Sequence, residues 1–236
     1  MKGNIVIKIG GSLLFTQNNE INSGKITELC NVLKSRKNLG KLVIICGGGL
    51  LARDFIKNIR LFNGSEALCD TFGIEISQIN ARLLISCFQD YAYPQVPKSI
   101  EELSIALLFN KIIVMGGLQP GQSTTSVALE VAEFIQADKL IILTDVDGIY
   151  DKDPKKFSNA KLLKKINYDH LQKLILLATE DNQASAGEYR IFDAVSLQIL
   201  KRSEISVMIM SGTNLNNLSK FLDGEKDIIG TEISKE

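Results

Sequence analysis

The sequence predicts an α/β fold built on a mostly parallel sheet, and three observations carry that expectation. Short runs of strand length alternate with longer stretches of helical spacing along the whole chain. Leu42–Cys46 and Leu140–Leu143 are wholly apolar, as strands covered on both faces are. The first strands also end abruptly in glycines or small polar residues, where ligands bind at the carboxyl ends of strands in open α/β sheets. Alternation of this kind implies right-handed crossovers between parallel strands.

Taken in order, Asn4–Ile9 is a β-rich run that stops at Gly10-Gly11-Ser12. Ile21–Lys37 places Ile26, Leu29, Cys30 and Leu33 at helical spacing, with Gly40 as the stop. Leu42–Cys46 is the second strand and ends in Gly47-Gly48-Gly49, with a helix from about Leu50 through Ile59. Ile74–Asp90 is a longer helix, and Ser99 with Glu101-Glu102 caps another that reaches Phe109. Lys111–Met115 is the third strand, followed by Gly116-Gly117, a polar loop over Leu118–Thr125 and a helix through Val127, Val131 and Phe134. The fourth strand, Leu140–Leu143, runs into Thr144-Asp145-Val146-Asp147-Gly148 and then Asp-Lys-Asp-Pro. Beyond it, Ile166–Leu177 reads as a helix capped from Asn167, Phe192–Arg202 as a helix and Ser206–Met210 as a strand. Leu215–Leu222 is a short helix and Asp227–Ile233 an edge strand.

The 236 residues give ample apolar content for a core, without linker or low-complexity stretch, and are expected to form a single domain over 1–236. Lys plus Arg equals Asp plus Glu at 27 each, which argues against nucleic acid or a membrane surface as a charge-driven partner. No apolar run approaches a membrane span, and Met1-Lys2-Gly3 leads into a strand rather than a signal peptide, so a cytoplasmic location is expected. Cys30, Cys46, Cys69 and Cys87 lie scattered among apolar neighbours, as buried thiols do. A single histidine, His170, rules out a zinc site built on histidines.

Three glycine loops in matching positions point to a phosphate ligand, because glycine lets backbone amides approach an anion and a following helix adds its positive end. The same glycines singly would only serve tight turns. GxxxxGK[ST], GxGxxG and GxSxG are all missing, which disfavours a P-loop kinase, a dinucleotide dehydrogenase and an α/β-hydrolase. Two cations accompany the loops. Lys8 precedes Gly10-Gly11, where it can neutralise a migrating phosphoryl group, and Arg53 lies one turn into the helix after Gly47–Gly49. The competing readings are an edge-strand lysine and a solvated helix face. Thr144 could hydrogen-bond the edge of a planar ring, and Tyr150 could lie flat against it.

In this order, KIGGS, GGGLLAR, SEALCDTFGIEISQINARLL, YAYPQVP, MGGLQPGQSTT and TDVDGIYDKDPKK resemble the amino acid kinase superfamily, and within it the archaeal-type UMP kinases. The resemblance covers nearly the whole chain. It implies an αβα sandwich, Mg2+, ATP and UMP as small-molecule substrates, and a homohexamer. It also implies Gly11, Ser12, Gly49 and Arg53 at ATP phosphates, and Thr144, Tyr150 and Asp153 at the adenosine. Gly48 and Asp70 would bind UMP, Asp70 at the ribose, with Leu118, Gln119, Pro120, Gly121, Gln122, Ser123 and Thr124 enclosing the uridine. The acceptor site thus falls mainly in the N-terminal half and the ATP site mainly in the C-terminal half. Arg190 falls where some members place a second catalytic lysine, beside the role expected of Lys8. Thr125 stands where many relatives carry a metal-organising aspartate; Asp145 is a possible substitute, and the metal ligands are left open. Leu118 replaces a threonine of several relatives.

The expected activity is transfer of the ATP γ-phosphoryl group to UMP, giving UDP for pyrimidine nucleotide biosynthesis. Isopentenyl phosphate kinases place a histidine before or after the second glycine loop, where this chain has Cys46. Acetylglutamate and aspartate kinases fit Asp70 and Gln119–Thr124 less well. A non-catalytic relative that holds anions on the same loops is the alternative of a different class.

Overall fold

The computed structural model describes residues 3–36, 39–152, 154, 156–180 and 191–235, the side chains of 176–180 excepted. Its strands are β1 (Ile5–Ile9), β2 (Leu42–Cys46), β3 (Ile113–Met115), β4 (Lys139–Thr144), β5 (Lys165–Asn167), β6 (Val207–Ser211) and β7 (Thr231–Ser234). They form one sheet in the order β3-β2-β1-β4-β6-β7-β5. The first five in that order are parallel, β7 is antiparallel to β6, and β5 is parallel to β7. The helices are α1 (Ser23–Lys34), α2 (Gly49–Leu61), α3 (Glu66–Phe88), α4 (Ile100–Ala106), α5 (Thr124–Phe134), α6 (Tyr168–Glu180), α7 (Ala194–Ser203) and α8 (Asn216–Asp223).

Successive side chains of a strand point to opposite faces, and here each face has its own core. Ile5, Ile7 and Ile9 join Leu29 of α1, Leu84 and Phe88 of α3 and Leu218 of α8. Val6, Val43, Ile45, Leu140 and Ile142 join Val127 and Val131 of α5 and Leu200 of α7. The product is the expected αβα sandwich. None of the described helices is long and apolar enough to cross a membrane.

Five expectations need correction. The helix expected to reach Phe109 ends at Ala106, with Leu107 as its cap. The helix expected to run to Lys37 and stop at Gly40 ends at Lys34, with Ser35 as its cap. The helix expected from Ile74 begins at Glu66, because Ser65 accepts a hydrogen bond from the Leu68 amide at 3.2 Å and starts it two turns earlier. Ile166 is in a strand rather than a helix: Lys165–Asn167 pairs with β7 before Asn167 caps α6, its Oδ1 accepting from the His170 amide at 2.9 Å. That strand covers β7, which is therefore interior, not the expected edge.

The end of the sheet remote from the glycine loops is locked by Asn4. Its Nδ2 donates to the Ile135 carbonyl at 2.8 Å, and its Oδ1 accepts from the Lys41 amide at 2.9 Å. One side chain thus ties the starts of β1, β2 and β4. Asn4→Ala is expected to cost about 2 kcal/mol of stability, read from the urea midpoint, because both partners lose their bond. The chemistry at the other end should be unaffected.

Candidate active site

The chain leaves β1 towards β2 and β3 on one side, whereas β4 lies against its other side. The crevice above β1 and β4 is therefore a topological switch point, where the loops separate and leave room for a ligand. Two backbone bonds seat the loops on the sheet: Gly10 N–H donates to the Leu143 carbonyl at 2.9 Å, and Gly47 N–H to the Ile9 carbonyl at 3.0 Å.

Above these bonds the first two glycine loops cross in backbone contact. A methyl group on Gly11 would lie 2.1 Å from the Gly49 nitrogen, and one on Gly49 would lie 2.7 Å from the Gly11 carbonyl oxygen. Gly49 also has φ +70°, a conformation in which a side chain is strained. No other residue fits at either position. The crossing places the short helical turn Gly11–Leu13, with Ser12, beside the start of α2.

Lys8 follows from the alternation of β1. It shares the face of Val6, next to Ile45 and Ile142 in register, but lies where the apolar layer gives way to the loops. It is on a central strand, so the reading as an edge-strand lysine does not hold. Its ammonium pKa is pushed down to about 8, first by burial and then by the Arg53 guanidinium. Arg53 itself is exposed on the second turn of α2. Among the described residues neither cation has a carboxylate partner. Two unneutralised cations over glycine amides make a receptor for an anion.

On the β2 and β3 side the loops rest on α3. Asp70 is helical rather than in a turn, and its Oδ2 accepts from the Gly121 amide at 2.8 Å. The carboxylate and the segment Leu118, Gln119, Pro120, Gly121, Gln122, Ser123 and Thr124 are thus brought together. Gly48 faces the same helix, with its α-carbon substituent position 3.4 Å from the Gly73 carbonyl. Ser123 caps α5, its hydroxyl accepting from the Ser126 amide at 3.1 Å, so that Thr124 and Thr125 begin the helix. Gln122 is anchored through Nε2 to Glu130 at 2.6 Å. Sequence reasoning missed three further polar residues of α3. Ser77 Oγ accepts from the Gly117 amide at 2.7 Å, and Gln78 Nε2 donates to the Gly117 carbonyl at 3.0 Å. Asn80 Nδ2 donates to the carbonyls of Gly47 at 2.9 Å and Gly48 at 3.3 Å. The available signal was Ser77 and Asn80 at i, i+3 among apolar residues of one helix face.

On the β4 side Thr144 is buried at the strand end, with its α-carbon 3.8 Å from the α-carbon substituent position of Gly10. Its hydroxyl donates to the Asp145 carboxylate at 3.2 Å. Tyr150 is half-buried and its hydroxyl donates to Asp147 at 3.4 Å; burial and that carboxylate raise its pKa. Asp153 and Arg190 lie outside the described residues. Thr125 is buried in the first turn of α5, and among the described residues no three acids, cysteines or histidines come together as a metal cage. Cys46 is buried beneath the second loop, where burial raises its thiol pKa. His170 sits beside β5, at the opposite edge of the sheet from these loops.

Fold and site together define an α/β protein whose glycine loops converge above a switch point of the sheet, with the Lys8 and Arg53 cations beside them. Residues 4–211 match the amino acid kinase family, and the chain belongs to it. It is 41% identical to the uridylate kinase of Methanobrevibacter smithii over 97% of this chain and 98% of the relative. It is 38% identical to that of Methanothermobacter thermautotrophicus over 98% and 99%. The crystal structure of uridylate kinase from Archaeoglobus fulgidus superposes with a TM-score of 0.83 at 32% identity, covering 98% of this chain and all of that one.

The buried cation has a measurable cost. A folded-state pKa below the unfolded value means that the charged form is disfavoured on folding. Lys8→Met is therefore expected to raise the melting temperature of the nucleotide-free protein at pH 7. The gain should shrink as pH rises from about 8 towards 10.5, where the parent gains stability by releasing the proton. Differential scanning calorimetry across that range checks both sign and window.

Proposed function

We propose that this chain is a UMP kinase, a phosphotransferase that moves the γ-phosphoryl group of ATP to the phosphate of UMP in pyrimidine nucleotide biosynthesis. The observation that carries the reading is the contact between Asp70 and Gly121. It joins a carboxylate suited to a ribose diol to the loop expected to enclose uridine, next to Gly48. High identity to uridylate kinases over nearly the whole chain supports the same acceptor.

In this reading UMP lies on the β2 and β3 side, at Gly48, Asp70 and Leu118–Thr124. ATP lies on the β4 side, with its phosphates at Gly11, Ser12, Gly49 and Arg53 and its adenosine at Thr144, Tyr150 and Asp153. The acceptor site falls mainly in the N-terminal half and the donor site mainly in the C-terminal half of one domain. Magnesium would enter with ATP and supply positive charge at the transferred phosphates; among the described residues no three acids, cysteines or histidines form a cage, and Thr125 brings no charge. Asp145, exposed just after β4, is the acid that would take a share.

Transfer is direct and in line, without a phosphoenzyme. Lys8, on the strand between the two sides, neutralises the equatorial oxygens of the moving group, and glycine amides add fixed donors. Arg190 would add a second catalytic cation beside Lys8. The protein acts in the cytoplasm as a homohexamer, and exposed Phe55, Leu61, Phe62 and Leu68 on α2 and α3 offer apolar surface for subunit contact.

Two experiments test this. ADP release is measured with UMP, CMP, AMP or isopentenyl phosphate as acceptor; rapid turnover is expected with UMP. Turnover with isopentenyl phosphate alone would sink the acceptor assignment, and no turnover with any would sink the enzyme reading. In the second, Lys8→Ala is expected to lower kcat on the order of a hundredfold. Because Lys8 must be charged to act, kcat/KM should fall as pH rises through about 8, and the kcat limb should lie higher because bound phosphates favour the charged form. Lys8→Arg should abolish that alkaline limb.

A further inference from the structure

We propose that Asn80 is a positioning residue for phosphoryl transfer, a buried amide that aims two consecutive backbone N–H groups of the second glycine loop at phosphate oxygens. The inference rests on the UMP kinase reading and adds to it a residue that touches neither substrate.

Asn80 lies within α3 and is 2% exposed. Its side-chain nitrogen donates at once to the Gly47 carbonyl at 2.9 Å and the Gly48 carbonyl at 3.3 Å. In a trans peptide the carbonyl and the following N–H point in opposite directions. Pulling the Gly47 oxygen towards α3 therefore turns the Gly48 amide away from it, and pulling the Gly48 oxygen does the same to the Gly49 amide. Among the described residues neither amide has a protein acceptor. A pair of successive amides facing one way is an anion-binding concavity.

A glycine loop needs such a brace, because it has no side chains of its own to fix its peptide planes. The crossing with Gly11 limits where the loop can sit, and the Ala52 amide of α2 also donates to the Gly48 carbonyl at 3.4 Å. Asn80 adds the hold on the Gly47 carbonyl and a second one on Gly48, from a helix held in the core by its neighbours Ala81 and Leu84, both fully buried. The same helix carries Asp70 ten residues earlier, so the ribose-reading carboxylate and the phosphate-aiming amide belong to one rigid body. A solvated asparagine could not do this, since water would compete for both carbonyls.

The effect should show on the phosphate and not on the nucleoside. In Asn80→Ala, kcat/KM for UMP is expected to fall roughly tenfold to a hundredfold, while the inhibition constant of uridine stays within threefold of the parent. Asn80→Asp provides a second readout. Its buried carboxyl can donate one hydrogen bond when protonated and repels the carbonyls when ionised, so its activity relative to the parent should rise several-fold from pH 8.5 to 6. In the parent itself, the Gly48 amide resonance should shift when UMP is added and the Gly49 resonance when ATP is added, and both should stay unmoved with uridine. Equal losses for UMP and uridine, or an Asn80→Ala variant within threefold of the parent, would overturn the role of Asn80. A Gly48 resonance indifferent to UMP, or a Gly49 resonance indifferent to ATP, would do so even if the variants fail to fold. A parent that does not turn over UMP at all would instead overturn the function on which the inference rests.

Discussion

The approach of Gly11 to Gly49 sets the geometry of this end of the molecule. It is a contact of backbone on backbone, and it fixes how far β1 and β2 can carry their loops before the chains meet. The strands reach it in register, Ile9 against Cys46, and the Gly47 amide closes on the Ile9 carbonyl. From that point the start of α2 is determined, because Gly49 is its first residue. Arg53 then has to emerge one turn later on the side of the crossing. The position of Arg53 is thus a consequence of two missing side chains.

The electrostatics of the site run against the habit of the rest of the molecule. Elsewhere several lysines and arginines are paired: Lys139 with Glu232 at 2.5 Å, Lys201 with Asp169 at 2.9 Å, Arg202 with Glu133 at 2.5 Å. The last two are largely solvated and contribute little to stability. Lys8 is half-buried, its pKa is lowered first by burial and then by the Arg53 guanidinium, and among the described residues no acid relieves it. Such an arrangement weakens the empty protein and strengthens the one holding a polyanion, since the phosphates supply the missing counter-charge. Binding and stability are linked through the same ammonium group.

Strand composition and punctuation made the parallel part of the sheet legible from sequence, and with it Lys8, the glycine loops and Thr144. The errors have local causes. Lys165–Asn167 is three residues long and hides inside a helical pattern, because Ile166 packs in the core whether it is read as strand or helix. The start of α3 was missed because Ser65 announces it and the apolar spacing follows only later. Asp70 meets the loop it was expected to share only through a partner 51 positions away. Asn80 is a similar case: its spacing from Ser77 marks a polar spot on an apolar helix face, but not the carbonyls it meets.

In the proposed reading, the order of the strands lets one lysine serve two ligands. Loops bearing on the β2 and β3 side rest on α3, those on the β4 side rest on β6 and β7 through Gly212 and Thr231, and β1 is the strand that touches both groups. A cation on any other strand would lie nearer one ligand than the other. On β1, at the residue before the last, it lies between them, and the face it takes is dictated by Val6 two residues earlier. Transfer between two bound phosphates requires charge at their junction and rigidity around it. The middle of a parallel sheet provides both, because its strands are the part of an α/β fold least free to move.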